Sequence, residues 1–519
     1  MEGTRRHVWP FGLITAGFAI VSLLAARRVA LPNWVGQLMT QGGPRGRLHA
    51  GLLAVVLLVL AHGLLRRRRI AYWTALTLAG CGVLLAGRSV LALLFVVAGV
   101  ALIVRREQFP AVPRPARVRF AGSCGLTVLA AGAAYDLALH GHDELRLDLG
   151  SLVLLGVSVT LVVLLAPAPP PKPANGTVRA RVTELVRHPS SDTLAPFVLR
   201  NDRSYVFSPD GRAAVGYRVL LGVAVVGGDP VGEPAAFPAA VAEFVRVCDR
   251  AGWRVAALAV RDDLAPLWHR HGLHTVGIGD EVLLEVDSFT LSGRSMRNVR
   301  QAVQRTHHFG VTTAIVREGD LDTGQRAEVA GLSAHWLGGS AERGFSMILD
   351  GLGTGAHPEC VLVLARDSAG RLVGCQRYVP SGDTLSLDVM RRRHDGVNGL
   401  NERMIADVVT HAREHGIRLV SLNFAAFRTL LDSSRRGPLE RAGYQALHLL
   451  DPFIRVESLY RFNAKFHPGY QARGVAFPSW PSVPIVALAM VGMEFGLAYD
   501  RHRSLGVRPP PEPRRIRSR

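Results

Sequence analysis

The first 170 residues constrain this chain more than any other part of it. Apolar runs cover roughly 8–26, 49–65, 70–87, 89–104, 120–140 and 149–166, each close to the roughly 20 residues a helix needs to cross a bilayer core. A single cleaved leader accounts for one such run, not six. Buried helices of a water-soluble domain are the competing reading, and a succession of nearly charge-free runs speaks against it. The expectation is an N-terminal α-helical transmembrane bundle of about six helices over residues 1–166, set in a lipid bilayer.

The loops between the runs orient that bundle. Arg5 and Arg6 precede the first run, Arg66 to Arg69 follow the second, and Arg105, Arg106, Arg114, Arg117 and Arg119 follow the fourth. Only Arg88 lies between the third and fourth, and Asp143, Glu144, Arg146 and Asp148 lie between the fifth and sixth. Cytoplasmic loops collect Lys and Arg. The alternation therefore predicts a multi-pass protein of the cell membrane with its N-terminus and its C-terminal domain in the cytoplasm. Arg27, Arg28, Arg45 and Arg47 break the alternation and leave an odd number of spans open.

A stiff proline-rich linker, "PAPPPKPANG", opens the next region at 167–177. Beyond it "YRVLLGVAVVG" and "WRVAALAV" alternate like strands, and "AAFPAAVAEFVRVCDRAG" between them has helical period. Later "CVLVLARDSAGRLVGCQRYV" reads as a hairpin, "LNERMIADVVTHAREHG" as a helix and "IRLVSLNFA" as a strand. Two α/β units in tandem are the economical reading: subdomains over 178–315 and 316–500, then a basic tail over 501–519. A second apolar stretch, "PIVALAMVGMEFGLAY" (484–499), carries Glu494 and reads as a buried or interfacial helix rather than a seventh span.

A formal charge of +20 with a pI near 10.9 implies an anionic partner: nucleic acid, anionic lipid, or both. The segment "SGRSMRNVRQAVQRTHH" concentrates that charge. If it is helical throughout, Arg294, Arg297, Arg300 and Arg305 fall within an arc of roughly 140°. They form either a solvated basic face or a phosphate-binding surface, since guanidinium pairs well with phosphate. His307 and His308 beside them are basic surface or a base.

Several chemistries are absent. Five scattered cysteines without a CxxC pair indicate neither a disulfide framework nor a zinc site. His269, His271 and His274 lack a companion set of ligands, so no metal constellation is read. There is no GxxxxGK[ST] loop and no GxSxG elbow, and "GLGTG" (351–355) reads as a turn. In "RRRHDGVNGLNE", a strand-like stretch precedes and a helix follows, which places backbone N–H groups at a helix N-terminus, a ready anion site. The spacing approaches the R-x-x-G-x-G of an acetyl-CoA loop: Gly396 fits, but Asn398 stands where a small residue is needed.

Two polar residues sit in apolar context. Asp388 lies in "LSLDVMRRR" and Asn423 in "LVSLNFAAF". On adjacent parallel strands they would face the crevice where α/β sheets bind ligands; the alternative is a capping or turn role. "SLYRFNAKFHPGY" adds Arg461 and Lys465 at i and i+4, with Tyr460, Phe462 and Phe466 interleaved.

Taken together, "GDEVLLEVDSFTLSGRSMRNVRQAVQR", "LDVMRRRHDGVNGLNERMI", "SLNFAAF" and "ESLYRFNAKFHP" resemble the catalytic domain of phosphatidylglycerol lysyltransferases, above all that of the actinobacterial lysyl-tRNA synthetase/lysyltransferase fusions. The resemblance covers roughly residues 200–490. It implies membrane helices followed by tandem acetyltransferase-like (GNAT-like) subdomains. It also implies transfer of an aminoacyl group, lysyl first, from charged tRNA to phosphatidylglycerol at the cytoplasmic leaflet, without a cofactor. Aminoacyl-tRNA and the lipid are then the partners, and self-association is left open. The tRNA ester is already activated, so the site has to position a hydroxyl, accept its proton and stabilise an oxyanion. Asp388 and Asn423 are the catalytic candidates, Asp388 as partner of the aminoacyl ammonium or as base. Arg297, Arg300, Arg305, Arg391, Arg392, Asn398, Asn401, Glu402, Arg461 and Lys465 are the substrate-binding candidates.

The sequence departs from the fusions twice. It ends in a basic tail where they continue into a synthetase, so a separate aminoacyl-tRNA synthetase is expected to supply the donor. The segment "LLDSSRRGPLERAGYQALHLLDPFIR" is also shorter than its counterpart. Three other readings compete: a membrane-tethered acyl-CoA-dependent N-acetyltransferase, a lipid flippase with a non-catalytic soluble domain, and a peptidoglycan-precursor aminoacyltransferase.

Overall fold

The structure, a computed structural model, describes residues 44–65, 68–86, 90–106, 115–138, 149–338, 347–426 and 461–494, together with residue 109 and isolated positions between 12 and 20. Contacts divide the chain into two compact units. One comprises Met1–Pro170, Val245–Arg254 and Arg270–Gly272; the other comprises the remainder.

In the first unit, five apolar runs are helices: α1 (Pro44–Leu65), α2 (Arg69–Ala86), α3 (Val90–Val104), α4 (Pro115–Ala138) and α5 (Leu149–Leu165). The first run lies mostly outside the described residues. Leu60, Leu64, Tyr72, Leu102 and Leu161 form a shared core. Glycines bring α4 and α5 close: a Cβ at Gly125 would meet the Thr160 side chain at 2.1 Å, and one at Gly132 would meet Leu152 at 2.2 Å. Small residues at such crossings let helix backbones approach closely. Leu93, Val97, Leu126 and Leu137 face outward. Among the described residues, however, one helix is long and apolar enough to cross a membrane, over Val118–Tyr135, against the expectation of about six. The described parts of α3 and α5 have 15 and 17 residues.

The second unit is built on one twelve-stranded sheet. Its strands are β1 (Ser204–Phe207), β2 (Ala213–Leu220), β3 (Val223–Gly227), β4 (Val231–Gly232), β5 (Arg254–Arg261), β6 (His274–Glu285), β7 (Thr312–Arg317), β8 (Val361–Arg366), β9 (Leu372–Ser381), β10 (Thr384–Arg392), β11 (Leu419–Ala426) and β12 (Gly469–Phe477). The order is β1-β2-β3-β5-β12-β6-β11-β10-β9-β8-β7, with β4 against β2. The hairpin read from "CVLVLARDSAGRLVGCQRYV" is the antiparallel pair β8 and β9. β12 comes from the far end of the chain, yet it lies between β5 and β6. Only β10 and β11 pair in parallel among the described pairings.

The helices of this unit are α6 (Gly176–Val186), the first half of α7 (Phe237–Ala251), α8 (Ala265–His269), α9 (Arg297–His308), α10 (Thr323–Leu337), α11 (Leu400–Glu414) and α12 (Val483–Glu494). Asn175 caps α6, its side chain accepting from the Val178 N–H at 3.0 Å. Helices α9 and α11 share a core with Val282, Leu387 and Val420 of the sheet. Burial of each such side chain stabilises by about 1.5–3 kcal/mol. The stretch expected to be a buried or interfacial helix is α12. Val486, Ala489, Met490 and Met493 pack on Val223 and Val225 of β3, while Leu488 and Val491 are exposed.

Candidate active site

The parallel pairing of β10 and β11 runs from Thr384 opposite Leu419 to Ser386 opposite Ser421. Beyond that point both strands leave regular register. β10 slips between Leu387 and Val389 against β9, and β11 slips between Ser421 and Phe424 against β6. Asp388 and Asn423 occupy the two irregularities, on adjacent parallel strands as the sequence suggests. Bulges re-aim side chains in this way. Asn423 takes a φ of +72°, a conformation asparagine tolerates better than most residues.

Both side chains are engaged by other groups of the protein. Asp388 pairs with Arg377, with no side-chain exposure on either partner, and accepts from the Leu349 N–H at 2.8 Å. Arg377 also faces Glu318 at 3.4 Å. Burial alone would lower the Arg377 pKa, but the Asp388 and Glu318 charges raise it above the ordinary arginine value. Asn423 donates to the Met347 and Leu387 carbonyls, both at 2.8 Å, and accepts from the Phe424 N–H at 2.7 Å. The two residues thus clasp main chain at 347–349 between the diverging strands.

A second buried network went unread in the sequence. Arg473 of β12 pairs with Glu281 of β6, with Asp192 at 2.8 Å and with Asp229 at 3.2 Å. Glu281 also accepts from the Thr193 and Ser421 hydroxyls, each at 2.5 Å. Three carboxylates thus converge on one arginine where the inserted strand meets its neighbours. These partners are up to 281 residues apart, so no spacing rule would have found them.

An open cavity of about 520 Å³ lies at the start of α11. Its walls are Asn298, Gln301, Ala302 and Arg305 of α9, Arg392, Asn398 to Glu402, and Phe462 and Lys465. Gly399 is the N-cap of α11, at φ +102° and with no side-chain cap. A Cβ there would meet Ala302 of α9 at 2.8–3.0 Å, so glycine is required both by conformation and by the close helix crossing. The first N–H groups of α11 lack a side-chain cap and sit at the positive end of the helix dipole. Arg305, Arg392 and Lys465 add three cations against one carboxylate, Glu402, which pairs with Lys465 at 2.8 Å. Lys465 also lies over the Phe462 ring, 5.2 Å from its centroid. The Asn401 Oδ1 is buried without a hydrogen-bond partner, and an unmet acceptor in a cavity wall suits a ligand hydroxyl or ammonium. The arrangement can bind a phosphate and orient a polar group beside it.

The cavity therefore gathers Arg305, Arg392, Asn398, Asn401, Glu402 and Lys465 from the expected set. It does not gather the others. The helix begins at Arg297, so Arg294 lies in the preceding turn and the four arginines do not share one helical arc. Arg297 is exposed outside the cavity lining. Arg300 is turned back, donating to the Leu291 carbonyl and, at 3.0 Å, to that of Gly293. Arg391 is buried in β10, and Arg461 is exposed. His307 meets Arg403 of α11. The loop's demanding glycine is Gly399, where the acetyl-CoA pattern had singled out Gly396. The short segment following Asn423 falls largely in 427–460, outside the described residues. One cluster of side chains of the types that bind metals occurs among the described residues, His411, Glu414 and His415.

Residues 182–477 match the family described as "Phosphatidylglycerol lysyltransferase, C-terminal". An MprF-like domain protein of Mycobacterium tuberculosis is 38% identical over 390 residues, 74% of this chain and 78% of that protein. The lysylphosphatidylglycerol biosynthesis bifunctional protein LysX of Gordonia bronchialis is 40% identical over 325 residues, 61% of this chain. The match spans only 28% of that longer protein. Among solved structures, the L-PGS of Bacillus licheniformis superimposes with a TM-score of 0.55 at 19% identity, over 62% of this chain and 97% of that one. A C-terminal domain from Agrobacterium fabrum gives 0.55 at 22%, over 62% and 98%. At these identities the likeness concerns the fold alone. The family match covers more than half of the chain, and with a 38% identical relative spanning most of both sequences it shows that this chain belongs to the phosphatidylglycerol lysyltransferase family.

Proposed function

We propose that this chain transfers an aminoacyl group, lysyl first, from charged tRNA to phosphatidylglycerol at the cytoplasmic leaflet, making the lipid surface less anionic. The observation that carries the reading is the cavity at the uncapped start of α11, where Arg305, Arg392 and Lys465 converge. Both substrates present a phosphate beside a group that has to be oriented, the lipid glycerol hydroxyl in one and the aminoacyl ester in the other. Guanidinium groups, an ammonium and helix N–H groups suit the phosphate.

In the reaction, the glycerol hydroxyl attacks the ester carbonyl, and the carbon–oxygen bond to the tRNA ribose breaks. The proton of the attacking hydroxyl ends on the released ribose oxygen. Because the ester is activated, rate is gained chiefly by holding hydroxyl and carbonyl together and by donors aimed at the oxyanion. On this reading Asp388 and Asn423 are positioning residues, which fix Arg377 and main chain 347–349. The N-terminal helices hold the domain at the leaflet as a multi-pass anchor. Lipid mass spectrometry of a phosphatidylglycerol-rich bacterial host expressing the full chain tests the assignment. The expected result is a new lipid with the mass of phosphatidylglycerol plus an aminoacyl residue. An unchanged lipid profile with the protein present in the membrane overturns the reading.

A further inference from the structure

The last turn of α11 carries His411 and Glu414, and His415 is the C-cap that follows, the three at i, i+3 and i+4. One ligand atom from each lies within 4.8 Å of the other two. The two imidazole rings have centroids 3.9 Å apart. We propose that this turn is a binding site for a divalent transition-metal ion, zinc being the best fit, held by His411, Glu414 and His415.

Three observations support the site independently of the transferase reading. Two imidazoles and a carboxylate form a donor set suited to zinc, and three protein ligands leave one tetrahedral position for water. The Nδ1 of His415 lies 2.8 Å from the His411 carbonyl. A ring N–H donating there leaves Nε2 with its lone pair for a metal, the outer-shell arrangement that fixes ligand tautomers. The site also sits at the negative end of the α11 dipole, where a cation is favoured.

Glu402 in the cavity and Glu414 here are separated by about 18 Å along the helix at 1.5 Å per residue. The ion therefore acts away from the substrate cavity. It clamps the end of α11 where the chain turns toward β11, the strand that carries Asn423.

The test uses the full chain in detergent, without a polyhistidine tag and stripped of metal by a chelator. Zinc chloride is titrated by calorimetry and by thermal unfolding. The expected result is one zinc bound per chain with a rise in Tm that EDTA reverses. His415→Gln and Glu414→Gln, both at exposed positions, should keep the metal-free Tm, lose the zinc-induced rise and bind about tenfold or more weakly. Cobalt(II) should give visible d–d absorption with the parent chain and not with His415→Gln. Equal zinc binding by parent and variants, or no zinc binding by the folded parent, overturns the proposal.

Discussion

At the scale of single residues, the structure separates cations that line a cavity from cations that merely decorate a helix. Arg305 and Arg297 stand on the same helix, yet only Arg305 lines the cavity. Arg305→Gln should weaken binding of charged tRNA or of phosphatidylglycerol vesicles roughly fivefold, the modest figure an exposed cation warrants. If RNA is the ligand, the slope of log affinity against log salt should fall by about 0.7. Arg297→Gln provides the contrast and should leave both unchanged; equal losses in the two variants would remove the cavity's special status. Asp388 makes a different prediction. With Arg377 fully buried beside it, Asp388→Asn leaves a cation short of its partner and should cost about 3 kcal/mol of stability. A lower Tm checks this. A variant of unchanged Tm that loses only one arm of its pH–rate profile would instead make Asp388 a base.

At the scale of elements, local pattern was legible and long-range pairing was not. The hairpin β8–β9, the helix α11 and the strand β11 all follow from apolar period and turn residues, because those signals lie within a few residues of one another. The insertion of β12 between β5 and β6 has no local signature, and neither does the Arg473 network it brings. The same limit explains the arginine segment: its charges were visible, but helix start and side-chain direction depend on the turn that Arg300 closes. It also explains Gly399, whose need for glycine comes partly from Ala302, on another helix. Gly399→Ala should strain the backbone and push α9 from α11, costing about 1–3 kcal/mol. Loss of anion binding exceeding the loss of Tm would locate the damage in the cavity.

The Arg473 network also has a pH dependence with a definite sign. Burial, then the Asp192 charge, raises the Asp229 pKa to about 7, against the opposing pull of Arg473 and Arg261. A carboxylate whose folded pKa is raised keeps its proton longer when folded. The stability it adds is full below about pH 4, its unfolded range, and is lost as pH rises through about 7. The Tm should therefore fall between roughly pH 4 and 7 in the parent chain and change less in Asp229→Asn. Identical slopes would mean that Asp229 is ionised throughout.

At the scale of the molecule, the proposed reading rests on the excess of positive charge, the apolar N-terminal helices and the cavity together. The central claim is the transfer itself. Its most direct measurement uses the purified full chain in phosphatidylglycerol vesicles, supplied with tRNA carrying radiolabelled lysine. The account predicts that label moves into the chloroform-soluble fraction, that the transfer requires phosphatidylglycerol, and that Arg305→Gln with Lys465→Gln slows it. Label that stays with the tRNA, while the same vesicles consume acetyl-CoA, would contradict it and assign the fold to acyl-CoA chemistry.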